Sequence, residues 1–364
     1  MNRSTDMGSR AMPRNTMAGR AQAPQAVHRR LRDRSWWPWF KRGLTLLFFV
    51  AVAVLLVRYA RTLDWKDVFD SVRALPAPAL GLAVALAAAS HLLYSCFDLL
   101  GRHYTGHALR TRTVMAVNFI SYAFNLCLGS LVGGVAFRYR LYSKLGLKTG
   151  VITRIVSMSM LTNWIGYMLL GGFVFLVHTP ELPPTWKMSN YGLQWLGAGL
   201  VAVALGYLAA CAMAGDRSWT VRGHELYLPP WRMALLQFAM ACTNWSLMAG
   251  VVYVLLGQRI PYSDVLAVLL IAAVAGVITH VPAGLGVFEF VFVALLSHVV
   301  PESRLIGALL GYRAIYYIGP LAVAALLYLA MELRGRRESQ HPRSEQGPGT
   351  RGSMKSANAR EGGG

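Results

Sequence analysis

The chain has 364 residues, of which 55% are hydrophobic and only 14% charged. That composition excludes an ordinary soluble domain and marks an integral membrane protein. The formal net charge of +20 does not point to nucleic acid, because ten of the Lys and Arg lie in residues 1–42 and seven in 333–364, where basic and aromatic side chains do not interleave into a binding platform.

Both tails are rich in Gly, Ser, Pro, Gln and Arg, and they read as disordered basic segments with weak attraction to anionic headgroups. Between them lies the membrane domain, 43–332. Its apolar runs follow in order: 44–57, 77–100, 114–137, 151–177, 193–214, 233–256, 265–300 and 305–331. A helix needs ~20 residues to cross ~30 Å of hydrocarbon. The first run is the weakest, but Trp36, Trp37 and Trp39 flank it as interfacial anchors. Its basic lead-in is too long for a cleavable signal peptide, so the run reads as an uncleaved anchor. Cys96, Cys127, Cys211 and Cys242 lie far apart inside apolar runs without CxxC spacing, which argues against a disulfide framework or a zinc site.

Basic loops of bilayer proteins stay on the cytoplasmic side, and this rule places both tails inside. The loop 61–76 is then outside, and the loop carrying Arg102, Arg110 and Arg112 is inside. The run 114–137 would break the count if it crossed, because it delivers Arg138, Arg140, Lys144, Lys148 and Arg154 to a loop that also belongs inside. A hairpin that dips in and returns resolves the conflict, with Gly129, Gly133 and Gly134 supplying its turn. The runs 151–177, 193–214 and 233–256 cross in alternation. The last run must reach the basic tail at Arg334, Arg336 and Arg337, so 264–300 turns back as well. In VPAGLGVFEF (281–290), Pro282 breaks the helix and Gly284 with Gly286 supply the bend, leaving two half-helices of about 14 residues or two short crossings. The expected fold is an all-α polytopic membrane protein of about seven spanning helices plus two re-entrant glycine-rich hairpins, 114–137 and 264–300, in an inverted-repeat arrangement. Broken helices in inverted repeats mark the substrate path of many secondary transporters.

Ionisable residues inside the bilayer are costly and are candidates for function. Asp98 lies near the inner end of its helix, where it either caps, pairs with Arg102 or serves the site. Arg138 and Arg140 leave the first hairpin, as site residues or as determinants of topology. Glu289 follows the second break by about one turn. It stabilises the positive end of a new half-helix, and the sharper reading adds a cation partner, Arg138, Arg140 or Arg313. Arg313 sits inside the last run, as a site residue or snorkelling to the outer interface. His280 reads either as a proton relay or headgroup ligand, or as a satisfied polar contact, and Asn118, Asn125, Asn163 and Asn244 chiefly as packing between helices. Half-helix N-termini at both breaks suit a phosphate or carboxylate, so the expected partner is an anionic phospholipid headgroup.

GSLVGGVAFRYRLYSKLGL (129–147), VPAGLGVFEF (281–290) and YRAIYYIGP (312–320) resemble the membrane region of lysylphosphatidylglycerol synthetases and flippases and the related YbhN-type UPF0104 inner-membrane proteins, over about residues 40–332. The resemblance implies a lipid-binding or lipid-translocating domain in which the acid of the second helix, the arginine of the first motif and the glutamate of the second are functional. Those positions match Asp98, Arg138 or Arg140, and Glu289. Ala283 replaces a common glycine, and Asn244 stands where related chains often carry an acid. The chain ends at Gly364 without the soluble aminoacyl-transferase domain of the synthetases, so lysine transfer is not expected.

The leading expectation is an inner-membrane flippase or transporter of anionic phospholipid or another lipid headgroup, passive or gradient-coupled, with both termini cytoplasmic. No nucleotide-binding loop, HExxH or nucleophile elbow is present in the sequence, and no cofactor, metal or nucleic acid is expected. A membrane-embedded lipid-modifying enzyme and a non-catalytic scaffold of a lipid-synthesis complex stay as alternatives, and a homo-oligomer is compatible with either.

Overall fold

The computed structural model describes residues 75–178, 180, 190–214, 219–221, 224–226, 228–279 and 284–340, with eight isolated positions between 50 and 73. The tail 1–42, nearly all of the run 44–57, His280, Pro282 and the stretch 341–364 lie outside the described residues. The chain divides into residues 1–58 and 59–364, and every element below belongs to the second unit.

The fold is that of an all-α polytopic membrane protein; its described strands form only a two-stranded ribbon, β1 (Trp219–Val221) with β2 (His224–Leu226). Among the described residues, six helices are long and apolar enough to cross a membrane. The first combines α1 (Ala77–Ser95) and α2 (Phe97–Thr105) around a tightened turn at Cys96. Pro78 sits in the first turn of α1, where no N–H is required. The helix ends at Gly106, whose left-handed backbone turns its N–H onto the Arg102 carbonyl at 2.9 Å.

The run 114–137 folds as a hairpin. Its first arm is α3 (Thr111–Leu128); Gly129, at φ 86° and ψ 166°, breaks the helix. A π-helical segment (Ser130–Ala136) and α4 (Phe137–Lys144) return along it. The ring centroids of Phe124 and Phe137 lie 4.3 Å apart across the two arms. Gly133 is not part of the turn: it lies so close to α3 that a Cβ there would sit 2.1 Å from the Asn125 backbone nitrogen. Of the three glycines expected at the turn, Gly129 has the positive φ that breaks the helix, Gly133 permits the arms to close, and Gly134 lies in the returning segment.

After α5 (Thr149–Val177) and α6 (Asn190–Ala214), α7 (Trp231–Leu255) leads to the second hairpin. Its arms are α8 (Tyr262–Thr279) and α9 (Val287–Leu296), of 18 and 10 residues, rather than two equal halves of about 14. The first arm runs longer because nothing between Tyr262 and Thr279 stops a helix. Gly284 and Gly286 both take positive φ, 57° and 76°, which only glycine adopts freely. The chain closes with α10 (Glu302–Tyr312), a π-helical segment (Arg313–Ile318) and α11 (Gly319–Gln340), whose end passes the expected boundary at 332.

The same order of elements occurs twice: long helix, 18-residue arm, glycine break, short returning arm, long helix. The open ends of the two hairpins face opposite ways. Lys144, at the exit of the first hairpin, pairs with Glu332 near the end of α11, and Arg140 Nε donates to the Tyr328 hydroxyl at 2.9 Å. At the other end of the bundle, the His178 ring at the close of α5 bonds to Asp264 in the first turn of α8, at the entry of the second hairpin.

Candidate functional site

Asp98 and Arg138 form the first buried ion pair. Asp98 is fully buried and Arg138 is 2% exposed. Arg138 Nε donates to Asp98 Oδ2 at 3.2 Å. Its Nη1 donates to the Gly134 carbonyl at 3.0 Å, and its Nη2 to Ser159 Oγ at 3.1 Å and to Asn118 Oδ1. Tyr142, one turn after Arg138, donates to the same Asp98 oxygen at 2.8 Å. Asn118 in turn donates to the Tyr94 carbonyl at 2.7 Å. A planar guanidinium with five fixed donors suits such a many-sided socket. The other carboxylate oxygen, Asp98 Oδ1, is buried without a hydrogen-bond partner.

Glu289 and Arg313 form the second pair. Glu289 is the third residue of α9, and its Oε2 accepts the Gly286 N–H at 2.9 Å, so it caps the new helix. Arg313 opens the π-helical segment and grips both carboxylate oxygens, with Nη2 to Oε2 at 3.0 Å. Its Nη2 also reaches the Gly284 carbonyl at 3.3 Å, and its guanidinium lies 5.6 Å from the Tyr317 ring centre. Side-chain exposures separate the pairs: 3% and 0% for Arg138 and Asp98, but 20% for Glu289. The first pair is sealed, and the second opens at its carboxylate.

A polar line links them. The Tyr94 ring stacks on Tyr122 at 3.6 Å, and the Tyr122 hydroxyl lies 3.0 Å from that of Tyr316, three residues after Arg313. Ser90 Oγ lies 2.7 Å from the Tyr316 hydroxyl and donates to Asn244 Oδ1 at 2.8 Å. This node joins α1, α3, α7 and the second π-helical segment.

Asp98, Arg138, Glu289 and Arg313 thus come together as two pairs, while Arg140 turns away onto Tyr328. Asp98 does not pair with Arg102, which instead donates to Thr111. Asn118 and Asn244, read above as packing groups, bond within this network. Ser159, Tyr142, Ser90 and Tyr122 were missed by sequence reasoning, and of these only Tyr142 carried a signal, its four-residue spacing from Arg138. Outside the spans, His107 lies between α2 and α3. Burial, and then the nearby Arg102 charge, push its pKa down. Among the described residues no group of three His, Cys, Asp or Glu is placed to hold a metal ion.

Residues 44–324 match the family described as the lysylphosphatidylglycerol synthase TM region. The chain is similar to Inner membrane protein YbhN of Escherichia coli (strain K12), 47% identical over 302 residues, which cover 83% of this chain and 95% of that protein. It is 30% identical over 285 residues to Uncharacterized protein slr0712 of Synechocystis sp., covering 77% of this chain and 88% of the other. Similarity also extends to Phosphatidylglycerol lysyltransferase of Staphylococcus haemolyticus, at 25% over 302 residues, which are 79% of this chain but only 34% of that protein.

Proposed function

Because the chain belongs to the lysylphosphatidylglycerol synthase TM region family, we propose that it is an inner-membrane transporter that moves lipids with anionic headgroups between leaflets, passively or driven by a gradient. The observation that carries this reading is the partly buried Glu289, 20% exposed, held on Arg313 at a glycine break. A carboxylate bound by an arginine and a helix N-terminus occupies the kind of place a phosphate takes. A lipid phosphodiester competes with Glu289 for Arg313 and the freed N–H of Gly286, and Glu289 reclaims them when the lipid leaves. The name of the staphylococcal relative favours phosphatidylglycerol as the first headgroup to try.

The two hairpins carry opposite charges, Arg138 in one and Glu289 in the other, and open toward opposite ends of the bundle. That geometry supports alternating access, with the node at Tyr122 and Tyr316 between the halves. In this reading both hairpins are re-entrant, and both termini lie in the cytoplasm. Single cysteines at Lys144 and Ser297 are then labelled by an impermeant thiol reagent from the inside and the outside respectively; external labelling at Lys144 overturns the orientation.

Transport is tested with the purified full chain in liposomes containing fluorescent phosphatidylglycerol. Leaflet exchange that falls at least about tenfold in Arg313→Ala, a loss of ~1.4 kcal/mol or more, supports the proposal. Exchange equal to that of empty liposomes overturns it, and a chemically altered lipid points to the enzyme instead.

A further inference from the structure

His91 lies on α1 at the centre of this node and takes no part in either ion pair. It is 2% exposed. Its Nδ1 lies 3.1 Å from the Ala87 carbonyl, an acceptor, so Nδ1 carries the hydrogen and Nε2 holds a lone pair. Nε2 is buried and has no hydrogen-bond partner. The ring meets Tyr316 at 4.6 Å, Tyr122 at 5.2 Å and Phe119 at 5.9 Å between centroids. A neutral imidazole here leaves a strong acceptor idle, whereas aromatic rings around it attract a cation.

The geometry points to Nε2 of His91 as a proton-binding site that couples lipid movement to a proton; this rests on the transporter reading above. The proton comes from hydronium, bonds to the Nε2 lone pair and leaves water behind, while Nδ1–H stays on the Ala87 carbonyl. No other bond changes, and the imidazolium adds one positive charge. That charge offsets the single negative charge of a phosphodiester entering beside Arg313, so headgroup and proton cross together without moving net charge through the bilayer, which would be costly. The groups around the ring are consistent with this role. The hairpin presents Tyr122, the second π-helical segment Tyr316 with Tyr317 and Arg313 on the same element, and α7 Asn244. The charges on the adjoining elements, Asp98 and Arg313, are already held by Arg138 and Glu289.

The test uses the full chain in phosphatidylcholine liposomes with a trace of fluorescent phosphatidylglycerol and an imposed difference of about one pH unit. One proton per lipid drives the leaflet ratio of the probe toward about tenfold, and His91→Gln brings it to about one. Exchange in the wild type with a ratio of one, at every sign of the gradient, overturns proton coupling and leaves the transporter reading standing. If the wild type exchanges no lipid, the transporter reading fails, and the site is judged by a readout that needs no transport. His91 is the only histidine of the nine that precedes a leucine, so pairing uniformly carbon- and nitrogen-labelled histidine with nitrogen-labelled leucine assigns its ring in the unmutated chain. Nitrogen NMR of its ring in lipid nanodiscs, followed as the pH is lowered, is expected to show Nε2 gaining its proton. An Nε2 unprotonated throughout overturns the site.

Discussion

The hydroxyls of Tyr122 and Tyr316 lie 3.0 Å apart, although 194 residues separate them in the chain. Tyr122 belongs to the first hairpin and Tyr316 to the segment that holds Glu289 through Arg313, so one hydrogen bond spans the two repeats. Tyr316 also serves Ser90. Tyr316→Phe removes both bonds and leaves buried hydroxyls short of a partner, at a cost of about 1–3 kcal/mol. A lower midpoint of thermal unfolding in detergent, with helix content unchanged before the transition, is the expected result.

The sealed pair lends itself to a double-mutant cycle. Asp98→Asn or Arg138→Gln alone leaves a buried charge without its counter-ion and is expected to destabilise by about 3–5 kcal/mol. The double variant loses less than the sum, because no unpaired charge is left. Denaturant unfolding of the three proteins reads this out, and strictly additive losses refute the coupling.

Gly133→Ala is expected to hurt more than Gly284→Ala. At Gly133 the new Cβ would sit 2.1 Å from backbone, which cannot yield, whereas at Gly284 there is open space and only the positive φ resists, at roughly 1–2 kcal/mol. Folded yield by size-exclusion chromatography orders the two. A Gly133→Ala protein as stable as wild type means the arms of the first hairpin do not close as described.

His107 gives a pH dependence of known sign. In the unfolded chain it takes up a proton near 6.5, but the folded chain holds its pKa lower. The unfolded form therefore binds more protons below 6.5, so the contribution of this loop is intact above that value and is lost as pH falls through it. Thermal midpoints from about pH 7.5 to about pH 5.5 should fall more steeply in wild type than in His107→Gln. Equal slopes would show that His107 does not contribute.

Much of the membrane fold is legible along the chain. Apolar runs, loop charges and glycine clusters suffice for the all-α class and for two places where a helix turns back, because lipid constrains each segment locally: an apolar length to cross, internal hydrogen bonding throughout, and glycine where the backbone bends. Asp98, Arg138, Glu289 and Arg313 stand out for the same reason, as charges where lipid tolerates few. Their partners do not. Asp98 has Arg102 four residues away on its own helix, yet it bonds to Arg138 forty residues on, and Arg140 shares the motif of Arg138 but faces Tyr328. Which side chains meet depends on the rotation of each helix about its axis and on the 4.3 Å stacking of Phe124 on Phe137 that closes a hairpin, quantities fixed by packing across the whole bundle. The sequence determined which segments are apolar enough to cross a membrane and where the chain breaks, because those follow from local transfer energies. Only the tertiary structure decided that one ion pair is sealed, that the other is partly open, and that His91 packs against Tyr122 and Tyr316 with an idle nitrogen, because these are relations among helices distant in the chain.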